Sequence, residues 1–156
     1  MGSRDQQRRD EARLISRVCG GYLLRSLKTF AALLDHDYGL TVVYLAILQA
    51  NLGALEEDAD LALRYAGLDE TPPEALYRPI SVHALAQTLH MPYETTRRGV
   101  GRLIELGFVS RVSRNGVIAL SARQAHPDCK QAIEADAMDA GRMFAHLRRL
   151  GVDGVA

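Results

Sequence analysis

Residues 80–120 read ISVHALAQTLHMPYETTRRGVGRLIELGFVSRVSRNGVIAL. Ser81 is a capping residue type, and Leu85, Ala86 and Leu89 follow at helical spacing, so a short helix with one inward face is expected. His90-Met91-Pro92 makes a turn, and Pro92 or Tyr93 opens a second helix, proline being favoured in a first turn. That helix runs to Leu106 and stops at Gly107, with Thr96, Val100, Leu103 and Ile104 toward the core. Residues 108–112 and 117–120 read as two strands, joined through Asn115-Gly116, a strong hairpin-turn dipeptide that puts Arg114 at the tip. Helix, turn, helix and hairpin in that order make a winged helix-turn-helix, a shape whose second helix fits the DNA major groove.

Charge is distributed to suit that reading. The whole chain has a formal net charge of zero. Residues 78–123, however, hold seven arginines against Glu94 and Glu105, a net of +5, while 1–77 carry −4 and 124–156 carry −1. A basic segment inside a neutral chain is what a localised phosphate contact needs. Of the 156 residues, 47% are hydrophobic and 24% charged, ordinary values for a soluble globular protein. Aromatic residues are 6% and Trp is absent, which argues against a base-stacking platform for single strands.

Outward from this segment the chain reads as helices. Residues 5–35 form one long helix, bent at Gly20-Gly21, with Leu14, Val18, Tyr22, Leu27, Phe30 and Leu34 as an apolar stripe. Arg9, Arg13 and Arg17 lie four apart on one face; they form a solvated flank offset by Asp5, Asp10 and Glu11, or else a supporting phosphate contact. DHDYG at 35–39 breaks the helix, and Thr41 caps a second running over 42–55. That stretch is apolar on most faces, but it is short for a membrane span and contains Gln49 and Asn51, so it is expected to be buried in the protein. An acidic run, a short helix ending near Gly67 and a proline-bearing loop over 67–79 follow. Residues 127–150 form the last helix, where Ile133, Ala137, Ala140, Phe144 and Leu147 make a coiled-coil type seam expected to pack on the first helix of a second copy. The three regions are therefore 1–77 (helical, dimerising), 78–123 (winged helix-turn-helix) and 124–156 (dimerisation helix) in a mostly α, α+β fold. No signal-peptide pattern is visible, and the cysteines, Cys19 and Cys129, have neither metal nor disulfide spacing, so a cytoplasmic location is expected. Both are read as small buried hydrophobes, with a redox-sensing thiol as the alternative.

The exposed face of the second helix carries Tyr93, Glu94, Thr95, Arg97, Arg98 and Arg102. Glu94 and Arg98 are four apart and share a face. A glutamate accepts from cytosine N4 and an arginine binds guanine O6 and N7 through two hydrogen bonds, so the pair is expected to read bases rather than form a plain surface ion pair. Tyr93, Thr95, Arg97 and Arg102 suit the DNA backbone. Ser81 offers its amide to a phosphate oxygen or acts as a simple cap. Arg114 suits a narrow minor groove or stands in solvent as a turn residue. Gly99 and Gly101 each weaken the helix by about 1 kcal/mol relative to Ala, in exchange for close packing or close backbone approach.

The run LAQTLHMPYETTRRGVGRLIELGFV resembles the helix-turn-helix of bacterial winged-helix regulators. Its YETTRR portion is similar to the recognition helix of the Crp/Fnr family, whose E-T-x-x-R pattern falls here on Glu94, Thr95 and Arg98. The layout of the whole chain resembles the MarR family, including a helix that opens with Gly39-Leu40-Thr41. That resemblance implies a homodimer on a pseudo-palindromic operator, often responsive to a small ligand or oxidant. The hairpin lacks the Asp-x-Arg motif usual in that family's wing, and no cyclic-nucleotide barrel is present.

The expected function is sequence-specific binding of double-stranded DNA in transcription regulation, with a protein-protein interaction module built on a winged helix as the alternative. No enzyme activity, metal or cofactor is expected. Asp35-His36-Asp37 has no second cluster to complete a coordination set, and no nucleophile-base-orienter set is visible. A small-molecule effector would sit among Tyr22, Phe30, Tyr44 and Leu48, between the first two helices and the winged helix; the same residues could simply be core.

Overall fold

The computed structural model describes residues 3–152, and in the first turns only Gln6 and the side chains from residue 9 onward. The Asp5 side chain and the chain ends of the two outer regions lie outside what is described. The chain is mostly helical with one small antiparallel sheet. The helices are α1 (Ser3–Ala31), α2 (Tyr38–Leu52), α3 (Ala59–Arg64), α4 (Val82–Leu89), α5 (Tyr93–Glu105), α6 (Ser121–Gln124) and α7 (Pro127–Arg149). The strands are β1 (Val109–Arg111) and β2 (Val117–Ala119), paired in the register Val109–Ala119, Ser110–Ile118 and Arg111–Val117.

α1 is unbroken through Gly20 and Gly21 and ends four residues earlier than the apolar stripe predicts. A 3₁₀ turn takes up Ala32–Leu34, and Asp35 and His36 then turn left-handed at φ 53° and 61°. α2 starts a turn before the expected residue because Asp37, not Thr41, caps it. The Asp37 carboxylate accepts from the Leu40 amide at 2.9 Å, and the buried Thr41 hydroxyl donates back to the Asp37 carbonyl at 2.7 Å. The helix stops at Leu52 and continues as a 3₁₀ turn over Gly53–Glu57.

α2 is the axis of the core. Leu40, Val43, Tyr44 and Ile47 meet Val82 and Leu85 of α4, Val100 and Leu103 of α5, and Phe108, Val109, Val117 and Ala119 of the hairpin. Each such side chain contributes roughly 1.5–3 kcal/mol when fully buried. One core thus runs through the 1–77 and 78–123 regions, and α2, although Tyr38–Glu57 is apolar and long enough to cross a membrane, spends its apolar surface on these neighbours.

A polar knot joins the same parts. Asn51 is fully buried; its Nδ2 donates to the carbonyls of Arg78 (2.7 Å) and Val117 (3.3 Å), and its Oδ1 accepts from the Ala119 amide (2.8 Å). Ile80 bridges to Val117 as a third, one-residue strand. Asn51 therefore holds both β2 and the segment entering α4 against α2.

α7 packs along α1 of the same chain. Asp136 accepts from the Tyr22 hydroxyl at 3.2 Å, and Asp139 pairs with Arg25 at 2.8 Å. The residues of the expected seam divide between buried and exposed positions. Cys129, Ala132 and Leu147 are buried, and Asp136, Asp139, Ala140 and Met143 are half-buried, whereas Ala137 is exposed and Ile133 and Phe144 are each 42% exposed. Two aspartates with donors on α1 set which face of α7 packs within the chain, and Ile133, Ala137 and Phe144 remain outside that packing. Leu147, buried within its own chain, is not available to a second copy.

Candidate nucleic-acid interface

α4 and α5 are joined by a turn whose geometry its residues dictate. Ser81 caps α4 by accepting from the Ala84 amide at 3.0 Å, so its hydroxyl serves as a helix cap. His90 closes α4 in the left-handed region at φ 50°, and Met91 donates its amide to the Ala86 carbonyl. Pro92 is extended and precedes α5. α5 is strongly two-sided: Thr96, Val100 and Leu103 are buried against the core, and Gly107 ends the segment at φ 74°.

The other side of α5 brings together the residues singled out in the sequence. Tyr93, Glu94, Thr95, Arg97, Arg98 and Arg102 are all exposed, and Arg98 leads with 77% of its side chain in solvent. Glu94 organises this face. Its carboxylate accepts from Arg97 Nε and Nη2 at 2.8 and 2.7 Å, and from Arg98 Nε at 3.1 Å. The expected Glu94–Arg98 pair exists, but Arg97 is the firmer partner through two bonds. These arginines pull the Glu94 carboxyl down to about 2, so it is ionised at neutral pH. Arg102 pairs with Glu105 at 3.2 Å. All of these pairs are solvent-exposed and add little to stability.

The two glycines of α5 differ. A Cβ on Gly99 would touch Val43 Cγ2 at 3.5 Å, whereas one on Gly101 would meet nothing within 4 Å. Gly99 thus lies against α2, and Gly101 leaves open backbone beside Arg97, Arg98 and Arg102.

The hairpin departs from its expected turn. Neither Asn115 nor Gly116 has positive φ, so this is not a two-residue turn of the kind Asn-Gly favours; a five-residue connection is closed by Val112 donating to the Gly116 carbonyl at 3.0 Å. Gly116 is required for space instead, since a Cβ there would lie 2.6 Å from Ser113 Oγ and 3.0 Å from Pro79 Cβ. Arg114 is exposed in this loop, away from the α5 cluster in sequence but on the hairpin that follows it.

Phe30, Tyr44 and Leu48 line a cavity of about 460 Å³, which lies between α1, α2 and α7 rather than against α4–β2. Tyr22 does not line it but bonds Asp136, which does. Ser26, Gln49, Glu56, Gln124 and Cys129 complete its polar lining, which holds no basic side chain among the described residues. Burial pushes the Cys129 thiol up to about 11, the opposite of an activated thiolate. Burial likewise raises the Tyr44 hydroxyl, whose ring meets Phe108 edge-on at 5.0 Å.

A junction missed in the sequence lies behind this cavity. The Arg123 guanidinium stacks over Phe108 at 4.3 Å and donates twice to Asp128, at 2.5 and 2.9 Å. It ties the end of the hairpin to the start of α7. Only its cation in a largely apolar strip could have signalled it. Among the described residues no three His, Cys, Asp or Glu side chains gather where they could hold a metal ion. No known protein family, curated protein or solved structure matches the chain, so the side chains on the α5 face are what bears on its role.

Proposed function

We propose that the protein is a sequence-specific, double-stranded DNA-binding transcription regulator of the cytoplasm, without enzymatic activity, in which residues 78–123 form a winged helix-turn-helix and α5 is the recognition helix. The observation that carries this reading is the exposed face of α5: three arginines, a glutamate, a threonine and a tyrosine stand on one element whose opposite face is bound into the core. Arg98 reads guanine, and Glu94 orients it and accepts from a neighbouring cytosine. Thr95, Arg97, Arg102 and Tyr93 hold phosphates, and Arg114 enters the minor groove. The Glu94 clamp supports this arrangement because it spreads two guanidiniums from one carboxylate before DNA arrives.

The protein binds a pseudo-palindromic operator as a homodimer, with recognition helices about 34 Å apart. With α7 engaged by its own α1, self-association falls to the apolar surface that remains: Leu23 and Leu24 on α1, 57% and 70% exposed, together with Ile133 and Phe144 on α7. The cavity between α1, α2 and α7 is of a size that holds a small-molecule effector, and its carboxylates without counter-cations favour a neutral or cationic one.

Selection of binding sites from a random duplex pool at two salt concentrations tests the reading. An enriched inverted repeat whose affinity falls steeply with salt is expected. Absence of any enrichment together with salt-insensitive binding would transfer the α5 face to a protein partner.

A further inference from the structure

The helix pair α1–α7 carries a second basic feature, independent of the α5 face. A cleft of about 540 Å³ lies between the two helices, lined by Arg17, Arg25, Arg142, His146 and Arg149 over an apolar floor of Val18, Gly21, Met143 and Ala145. Its sole lining carboxylate, Asp139, is already held by Arg25 at 2.8 Å. Arg17 and Arg142 make no hydrogen bond or ion pair among the described residues. Four guanidiniums against one carboxylate leave a formal +3 in this cleft, in a chain whose net charge is zero. The fold uses Arg25, through Asp139, and Arg149 lies 3.4 Å from His146 Nδ1, while Arg17 and Arg142 are left without partners among the described residues. Like charges gathered along one cleft repel, and a bound polyanion relieves the repulsion.

We propose that the α1–α7 cleft binds an oligophosphate, the chemistry shared by a nucleoside triphosphate and inorganic triphosphate. Guanidiniums grip phosphate oxygens through paired hydrogen bonds, and several arranged around one opening match a ligand with several adjacent negative charges better than a monoanion. The cleft has the volume of a small-molecule site, and its arginines stand exposed along it. Gly21 keeps the floor low where Arg25 crosses it, since a Cβ there would come within 3.3 Å of Arg25 Nη1. The proposal does not depend on DNA binding by α5, which shares no residue with the cleft.

Isothermal titration of the full chain with inorganic triphosphate, ATP and AMP tests it. Triphosphate and ATP bind, and AMP binds at least about tenfold more weakly. Arg17→Ala and Arg142→Ala each weaken triphosphate binding about tenfold, with thermal midpoints no lower than the wild type because neither side chain has a partner among the described residues. Arg148→Ala, which removes an exposed α7 arginine outside the cleft, leaves binding unchanged. ATP tighter than triphosphate seats a nucleoside on the Val18–Met143 floor, and equal affinities identify inorganic phosphate as the source; both support the site. Failure of both to bind, an equal loss in Arg148→Ala, or cleft variants that weaken only duplex DNA overturns it.

Discussion

Asn51 and Arg98 stand at opposite extremes of the same architecture. Each is a polar side chain on a helix that packs into the core, yet Asn51 is fully buried and Arg98 has 77% of its side chain in solvent. Asn51 makes three hydrogen bonds, all to the backbone of other segments; Arg98 makes one, to a neighbour on its own helix. The first secures the fold and the second leaves its donors free for something outside it. Asn51→Leu should break that contrast most visibly. It strands the buried Ala119 amide and removes the partner of the half-buried Arg78 carbonyl, at a cost of about 3 kcal/mol. Urea unfolding measures it, and a loss below about 1 kcal/mol would mean that water reaches the knot and that Asn51 is not what holds β2 to α2.

Arg123 lies between the extremes, with 16% of its side chain exposed. Arg123→Ala removes the stack on Phe108 and the partner of Asp128, and about 2 kcal/mol of stability goes with them. The guanidinium also holds the Asp128 carboxyl well below its usual 3.8. A depressed carboxyl contributes stability that is complete above its unfolded value and is lost as pH falls toward the folded one. The wild type should therefore lose stability as pH drops below about 4, and Arg123→Ala should lose less over that window. Thermal midpoints at pH 7, 4 and 3 decide it, and parallel acid limbs would remove the ion pair from the account.

At the exposed extreme the two measurements should separate. Arg98→Ala should change stability by no more than about 0.5 kcal/mol while costing about 1–3 kcal/mol of operator binding and relaxing one base pair per half-site. Arg97→Ala should weaken all duplexes alike. Binding titrations on the selected operator and on single-base variants distinguish them; wild-type affinity in Arg98→Ala would take the reader role from that residue.

The legible parts of this molecule were those governed by near neighbours. Ser81, the His90–Pro92 turn and Gly107 delimit α4 and α5 within a residue or two, since capping and left-handed closure depend on a few consecutive positions. The exposed α5 face followed from helical spacing alone. Asn51 was legible only as a polar interruption in an apolar run, because its partners lie 27 to 68 residues away. The face of α7 that packs on α1 is illegible for the same reason, because Asp136 and Asp139 meet Tyr22 and Arg25 across 114 residues of chain. Asp37 displaced Thr41 as the α2 cap because both types can cap, and the left-handed pair at 35–36 decides which one is extended.

Gly101 offers the smallest and sharpest test, because on one helix it sets stability against recognition. Glycine inside a helix costs about 0.5–1 kcal/mol relative to alanine, and a Cβ at this position meets nothing within 4 Å, so Gly101→Ala should stabilise the protein by that amount. Gly99→Ala should gain less, since its Cβ comes into contact with Val43 at 3.5 Å. No side chain of the described residues packs against Gly101. If α5 is the recognition helix proposed above, a methyl group at Gly101 would stand between helix and DNA. Gly101→Ala should therefore raise the thermal midpoint and weaken operator binding together, while Gly99→Ala leaves binding intact. If Gly101→Ala gains stability and keeps full affinity, DNA does not approach the helix at that position, and the contact surface is confined to the long side chains of Glu94, Arg97, Arg98 and Arg102.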